Sequence, residues 1–453
     1  METEREAILA MGAADMKDGA KYWVGKDYVN FIFKDFVDLD QPFADFIDRH
    51  ETPRMPWHDI GSLVYGAAAR DTARHFIQRW NAAKIEKLKH DDNYPLLMPK
   101  SYDRVQVPRV FRNLSIRTNV QLLRSSADWS AGMNHIEQSI HQAYVDLISN
   151  AEHFIYIENQ FFVSQIESNE VTNKISQALF DRIVKAYRNK ETFRVYVMLP
   201  LLPAFEGQIG TGQGSALQVV LNWAYVSISK GEKAILNRLA KIVDDPLRYI
   251  CFCSLRTYER LSGRLVTEEV YIHSKLMIVD DKRCIIGSAN INDRSQLGKR
   301  DSEVCVCVED VEFETGRMAG QEYPRGKFCG SLRCQLFNEH LGLLTAPDDS
   351  IDITDPVCHE FYYKVWLRIA SKNTDIFDRV FRCTPTDHVL SLETMGPYAN
   401  QIPLAELNIV KAEELLSAVR GFLVLFPTRF LANSNLAPSV TTKEGLAPVS
   451  LFV

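Results

Sequence analysis

The ten residues from Tyr271 to Asp280, Tyr-Ile-His-Ser-Lys-Leu-Met-Ile-Val-Asp, constrain this chain more than any other segment. Val270-Tyr271-Ile272 and Leu276-Met277-Ile278-Val279 are apolar and β-favouring, which reads as a largely buried strand. Side chains two apart on a strand share a face, so His273 and Lys275 are expected to project together. Asp280-Asp281-Lys282-Arg283 has the polar composition of a turn, and Cys284-Ile285-Ile286 reads as a returning strand. Gly287-Ser288-Ala289-Asn290 follows, with Ser288 and Asn290 again two apart. Such a hairpin brings an imidazole, an ammonium, a hydroxyl and a carboxamide to one end of a sheet. The pattern H-x-K-x4-D occurs once, and of the eleven histidines only His273 has a lysine two residues on.

This set suits an anionic phosphodiester. Lysine brings a point charge, and serine and asparagine donate hydrogen bonds to non-bridging oxygens. Donors placed in this way stabilise charge that develops in a transition state. Histidine serves as nucleophile or as general acid and base near neutral pH. Glu303 opens another apolar strand, Val304-Cys-Val-Cys-Val308, and is expected to orient the ring of His273. A lone H-x-K is most simply a core histidine beside an edge charge. Asp280, Gly287, Ser288 and Asn290 turn the balance towards chemistry.

With these residues in place, the chain resembles the phospholipase D superfamily, and within it the animal phosphatidylcholine-hydrolysing members. The resemblance runs from about residue 20 to 445. It includes Gly25-Lys-Asp-Tyr-Val-Asn-Phe31, Thr52-Pro-Arg-Met-Pro-Trp-His-Asp59, Ala68-Ala-Arg-Asp71 and Arg74-His-Phe-Ile-Gln-Arg-Trp-Asn81. Asn119-Val-Gln-Leu-Leu-Arg124, Ile155-Tyr-Ile-Glu-Asn-Gln-Phe-Phe162, Gly287 to Arg300 and Arg420-Gly-Phe-Leu-Val424 continue it.

The resemblance implies a phosphoryl transfer in two steps at a site built from two H-x-K-x4-D motifs. One histidine attacks phosphorus; the other protonates the departing choline. The second histidine then activates water, giving phosphatidic acid, or a primary alcohol, giving a phosphatidyl alcohol. By order, His273 matches that acid and base. Lys275, Ser288 and Asn290 match phosphate-binding residues, Glu303 the partner of the histidine, and Asp280 a structural turn residue. No metal or other cofactor is implied. Because this sequence holds one motif, we expect it to supply the downstream half-site, with the first motif missing. The alternatives are a silent form that binds phosphoinositide or partner proteins, and a homodimeric phosphodiesterase or nuclease in which two copies complete the site.

Composition limits the partners. A net charge of −6 over 453 residues disfavours nucleic acid and bulk attraction to anionic membrane. Local cations say otherwise: Arg70, Arg74, Arg79, Lys84, Lys87 and Lys89 fall in one helix-like stretch, where the family binds phosphoinositide. An ordinary solvated helix face is the bland alternative. Arg104, Arg109, Arg112 and Arg117 form a second basic stretch without an assignment. Small GTPases are a further class of partner the resemblance admits. No signal peptide opens the chain and no apolar run reaches eighteen residues, so we expect a cytoplasmic protein, peripheral on membranes. Nine cysteines, with Cys251/Cys253 and Cys305/Cys307 inside apolar runs, read as packed thiols rather than ligands or disulfides.

Helix and strand signals alternate through the middle of the chain. Ile136, Ile140, Ala143 and Leu147 recur at helical spacing before Phe154-Ile-Tyr-Ile157; Ile175, Leu179, Ile183 and Ala186 precede Arg194 to Leu199. The expected fold is α/β, a phospholipase D-like mixed sheet flanked by helices with one complete repeat and the tail of another. We divide it at 1–125, a remnant with the basic stretch; 126–345, the repeat carrying the half-site; and 346–453, a C-terminal cap. Glu158 and Gln160 are pocket candidates, with a buried hydrogen-bonding role at least as well supported. Gly207 to Gly214 has the wrong spacing for a nucleotide loop and is read as a loop flanking the pocket, before a helix at 215–228. A helix at 411–419 is expected in the cap. The chain ends Val449-Ser-Leu-Phe-Val453, where related enzymes carry an acidic, aromatic, threonine-bearing segment that reaches towards the active site.

Overall fold

Alternation of apolar helices and strands builds one ten-stranded mixed sheet in a computed structural model that describes residues 48, 50–101, 106–205, 207–211, 214–438 and 443–453. Gly25–Phe31, Arg104, Gly212 and Gln213 lie outside the described residues. In chain order the elements are β1 (Trp57–His58), α1 (Ala67–Lys87), β2 (Thr118–Ser126), β3 (Glu137–Gln138), α2 (Ser139–Ser149), β4 (Phe154–Asn159), α3 (Ile175–Asn189) and β5 (Arg194–Met198). There follow α4 (Ser215–Ile228), β6 (Ile250–Leu261), β7 (Arg264–Glu269), β8 (Tyr271–Ile272), β9 (Lys275–Val279), β10 (Arg283–Gly287) and β11 (Glu303–Asp310). Hairpin β12 (Phe313–Met318) and β13 (Gln321–Gly326), α5 (Lys327–His340), α6 (Arg368–Phe381), α7 (Ile409–Leu416) and β14 (Leu423–Leu425) complete the main elements.

The strand order is β14-β6-β5-β4-β9-β10-β11-β2-β3, with β7 on β6. β4, β5 and β6 run parallel, joined by crossovers through α3 and α4, while β9, β10, β11 and β2 are antiparallel neighbours. Helices cover both faces, so every residue of β4, β5 and β9 is buried and the strands read as continuous apolar runs. Ile155, Ile157, Val195, Val197 and Met277 pack under α2, α3 and α4. Their neighbours Phe154, Tyr156, Tyr196, Met198 and Ile278 pack on the other face, against Leu336 and Phe337 of α5 and against Phe361 and Trp366. The expected helix at 215–228 matches α4. The cap helix begins at Ile409, two residues before the expected start, because Asn408 Oδ1 accepts the Lys411 N–H at 3.0 Å.

The nine cysteines are free, and Cys251, Cys253 and Cys305 are buried in the sheet. β14 comes from the 346–453 segment and pairs with β6, so this segment contributes to the central sheet. No described helix is long and apolar enough to cross a membrane. The chain divides into two units: the smaller takes the residues up to Pro56 with Tyr258–Glu268, and the larger takes Trp57–Thr257 with Glu269–Val453. All the site residues treated below belong to the larger unit.

Candidate active site

His273 stands in a break between two strands, not within one. β8 leaves the main sheet to pair in parallel with β1, matching Trp57 to Tyr271 and His58 to Ile272. The His273 N–H continues that ladder by donating to His58 O at 2.7 Å. β9 then begins at Lys275, opposite Asn159 of β4. The expected single strand is therefore split, yet both side chains reach the same end of the sheet.

The ring of His273 is held by residues that sequence reasoning gave no role. Nδ1 lies 2.7 Å from Asp59 Oδ2, and the Trp57 ring sits 4.5 Å away, centroid to centroid. A carboxylate only accepts, so the proton rests on Nδ1 and Nε2 is left to take or give a proton. Glu303, expected to orient this ring, does something else. Its Oε2 accepts from Ser288 Oγ at 2.5 Å and its Oε1 from Ser295 Oγ at 2.7 Å. The signal for Asp59 was its place beside Trp57 and His58 in a motif already noted; 214 residues of separation hid the contact from any local pattern.

Lys275 is 5 % exposed and donates to Gln160 Oε1 at 3.1 Å and to the His273 carbonyl. Burial lowers its pKa to about 8, against the opposing pull of Asp59 and Glu303. Both carboxylates thus act on one ammonium. Gln160 also donates to the Tyr271 hydroxyl at 3.0 Å, so it bridges Lys275 and Tyr271. Burial pushes the Glu303 carboxyl up, and the two serine hydroxyls oppose it.

The loop after β10 is built tightly. A Cβ on Gly287 would sit 2.3 Å from Val304 O, which excludes any side chain there. Asn159 Oδ1 accepts the Ile291 N–H at 3.1 Å and fixes the loop beside β4. Ser288 is exposed at the surface. The Oδ1 of Asn290 is buried with no hydrogen-bond partner among the described residues. The helix Asp293–Gln296 follows, and the chain's last described residues dock on it: Arg294 N–H donates to Val453 O at 3.1 Å.

Asp280 is occupied by backbone donors. It accepts from the backbone N–H groups of Glu152, His153 and Phe154 at 2.7, 2.7 and 2.9 Å, tying the β9–β10 turn to the start of β4. The adjoining Asp281 forms a fully buried pair with Arg333 of α5 at 2.6 Å.

Glu158 points away from the open site. Its Oε2 lies 2.8 Å from His58 Nε2, and its Oε1 is shared by the Tyr156 hydroxyl and by His340 Nε2 at 3.0 Å. His58 Nδ1 meets Glu339 at 3.0 Å. Burial works against a charged His58, but Glu158 and Glu339 outweigh it and push its pKa up to about 10. Burial likewise disfavours a charged Glu158, yet His58 and His340 hold its carboxyl well below the usual carboxylate range. Among the described residues, His58, Glu158 and His340 are a group whose ligand-type atoms come within 4.8 Å of one another. Those atoms are spaced for hydrogen bonds and engage one another, so the set does not fit an ion.

The basic stretch is divided. Of its six cations, Arg70, Arg74, Arg79, Lys84 and Lys87 lie on α1, and Lys89 lies beyond its end. Arg74 pairs with Asp71, while Lys84 caps the helix by donating to Leu88 O and Asp91 O. Nine residues make about two and a half turns, so Arg70 and Arg79 face opposite ways. Arg79 and Lys87 line a cavity of about 580 Å³ with Phe76, Trp80 and Trp129. Arg109 and Arg112 share the short helix Arg109–Arg112.

A half-buried imidazole gripped by a carboxylate thus lies beside a buried lysine at one end of a mixed sheet. The family model for phospholipase D matches residues 32–269 and 262–390, and the chain belongs to that family. It is 51 % identical over 451 residues to human Phospholipase D1, covering 98 % of this chain and 41 % of that one. Bovine Phospholipase D2 is 46 % identical over 97 % of this chain and 47 % of its own length, and Arabidopsis thaliana Phospholipase D zeta 2 is 34 % identical over 95 % and 51 %. The chain therefore spans about half, or less, of the curated relatives it matches.

Proposed function

We propose that this chain supplies the acid–base half of a phospholipase D centre that hydrolyses phosphatidylcholine to phosphatidic acid and choline, or transfers the phosphatidyl group to a primary alcohol. The observation that carries the reading is the Asp59–His273 pair at 2.7 Å next to the buried ammonium of Lys275. Asp59 keeps the proton on Nδ1, so Nε2 protonates the leaving choline oxygen and then takes a proton from water or alcohol. Lys275, Ser288 and Asn290 hold the non-bridging oxygens as charge builds. Glu303, which accepts two hydroxyls and meets no imidazole among the described residues, is the carboxylate we assign to a second imidazole. That imidazole would attack phosphorus and form the phosphohistidine that His273 later discharges.

The test is choline release with phosphatidylbutanol formation in 1-butanol, for the wild-type chain and for His273→Ala. Product formation that survives the substitution refutes the role of His273. The setting we propose is cytoplasmic and peripheral, at a membrane surface carrying phosphoinositide, with small GTPases as candidate regulators. Arg79 and Lys87 stand beside exposed aromatic rings, which suits an anionic head group at an interface. Flotation with phosphoinositide vesicles should weaken for Arg70→Ala/Arg74→Ala and for Arg79→Ala/Lys87→Ala; unchanged binding by both rejects the lipid proposal.

A further inference from the structure

We propose that the buried residues His58, Glu158 and His340, with the partly exposed Glu339, are a positioning device for the His273 imidazole, acting through the short strand β1. This rests on the reading of His273 as the acid–base group. β1 has two residues, and pairing that short cannot hold itself in water. Yet β1 and the Asp59 that follows it supply the Trp57 face, the His58 carbonyl and the Asp59 carboxylate, with the Tyr271 ring of β8 also stacked on the imidazole at 6.4 Å.

Alternation along an extended segment explains the division of labour. Trp57 and Asp59 meet His273, and the intervening His58 side chain turns into the core, where the residue is 7 % exposed. There it reaches two separate elements. Glu158 belongs to β4, which lies against β9 with Glu158 opposite Leu276 and Asn159 opposite Lys275. Glu339 and His340 belong to the end of α5. One imidazole therefore joins β1 both to the strand registered against Lys275 and to the helix covering the sheet.

The anchor is itself fixed. Glu158 is fully buried and receives Tyr156, His340 and His58 on its two oxygens. The charged and titratable groups facing His58 are Glu158, Glu339 and His340, whose ring meets that of His58 edge-on at 5.5 Å between centroids, with Tyr156 reached through Glu158. A shift of β1 large enough to release Asp59 from His273 would strand a buried carboxylate, which makes the register of β1 hard to change.

Nitrogen NMR of the full chain with labelled histidine tests this without requiring turnover. His273 is assigned by His273→Gln, and Asp59→Asn gives the signature of an unclamped ring. Glu158→Gln and His58→Phe should each move the His273 Nδ1 resonance most of the way to that signature. Arg333→Met breaks a buried pair between an earlier part of α5 and the β9–β10 turn, without touching the His58 set, and should leave the resonance in place despite a loss of urea stability. If His58→Phe fails to fold, Glu339→Gln replaces it, with a smaller shift in the same direction. An unmoved resonance in Glu158→Gln overturns the proposal, as does an equal shift in Arg333→Met. If Asp59→Asn itself leaves the ring unchanged, the reading of the site falls, and the device with it.

Discussion

At the scale of single residues, the site is a matter of which carboxylate serves which partner. Asp59 and Glu303 both act on Lys275, but only Asp59 touches His273; Glu303 is spent on Ser288 and Ser295. The two acids should therefore fail differently. In a preparation that releases choline, Asp59→Asn should lower turnover by roughly 10²-fold or more, the scale of a lost general acid–base arrangement. The loss should appear as lower choline release across the pH range measured. An unchanged rate would remove Asp59 from the reaction. His273, Lys275, Ser288 and Glu303 were legible in the sequence because their chemistry is packed into thirty-one positions joined by strand alternation. Asp59 was not, since nothing in a local pattern tells a surface aspartate from one that meets a histidine across the fold.

At the scale of elements, the turn Asp280-Asp281 does structural work on two sides. Asp280 takes three backbone donors from the entry to β4, and Asp281 pairs with Arg333 of α5. Asp280→Ala should cost at least about 3 kcal/mol, since bonds to a charged acceptor contribute about 1.5–3 kcal/mol each. Amide exchange at Glu152, His153 and Phe154 should accelerate first, and protection equal to wild type would contradict the account. Arg333→Met leaves a buried aspartate alone and should cost about 3–5 kcal/mol in urea unfolding. The long helices and the apolar strands were readable because each buries a periodic face. The break between β8 and β9 was not, because the bend is set by pairing with β1, and an apolar run carries no mark of which neighbour it will choose.

At the scale of the whole molecule, buried charge links the sheet to its covering helix, and that linkage depends on pH. His58 has its folded pKa raised to about 10 from an ordinary value of 6.5. Its contribution is fully present below about pH 6.5 and is lost as pH rises through 10. The gap in urea midpoint between wild type and His58→Gln should therefore be widest near pH 6 and close towards pH 10. A gap that stays constant would contradict a charged His58. Family membership and the α/β architecture were both visible in the sequence; the histidine–glutamate set was not, because its members come from β1, β4 and α5.

The central claim, that Lys275 and its neighbours form a cup for a phosphoryl group, is tested most directly by calorimetric titration of the chain with tungstate, a tetrahedral oxyanion. Lys275 carries its charge below about pH 8, so saturable binding is expected at pH 7, and it should be lost at pH 9.5 and in Lys275→Met at either pH. Equal affinity in Lys275→Met and wild type at pH 7 would contradict the claim.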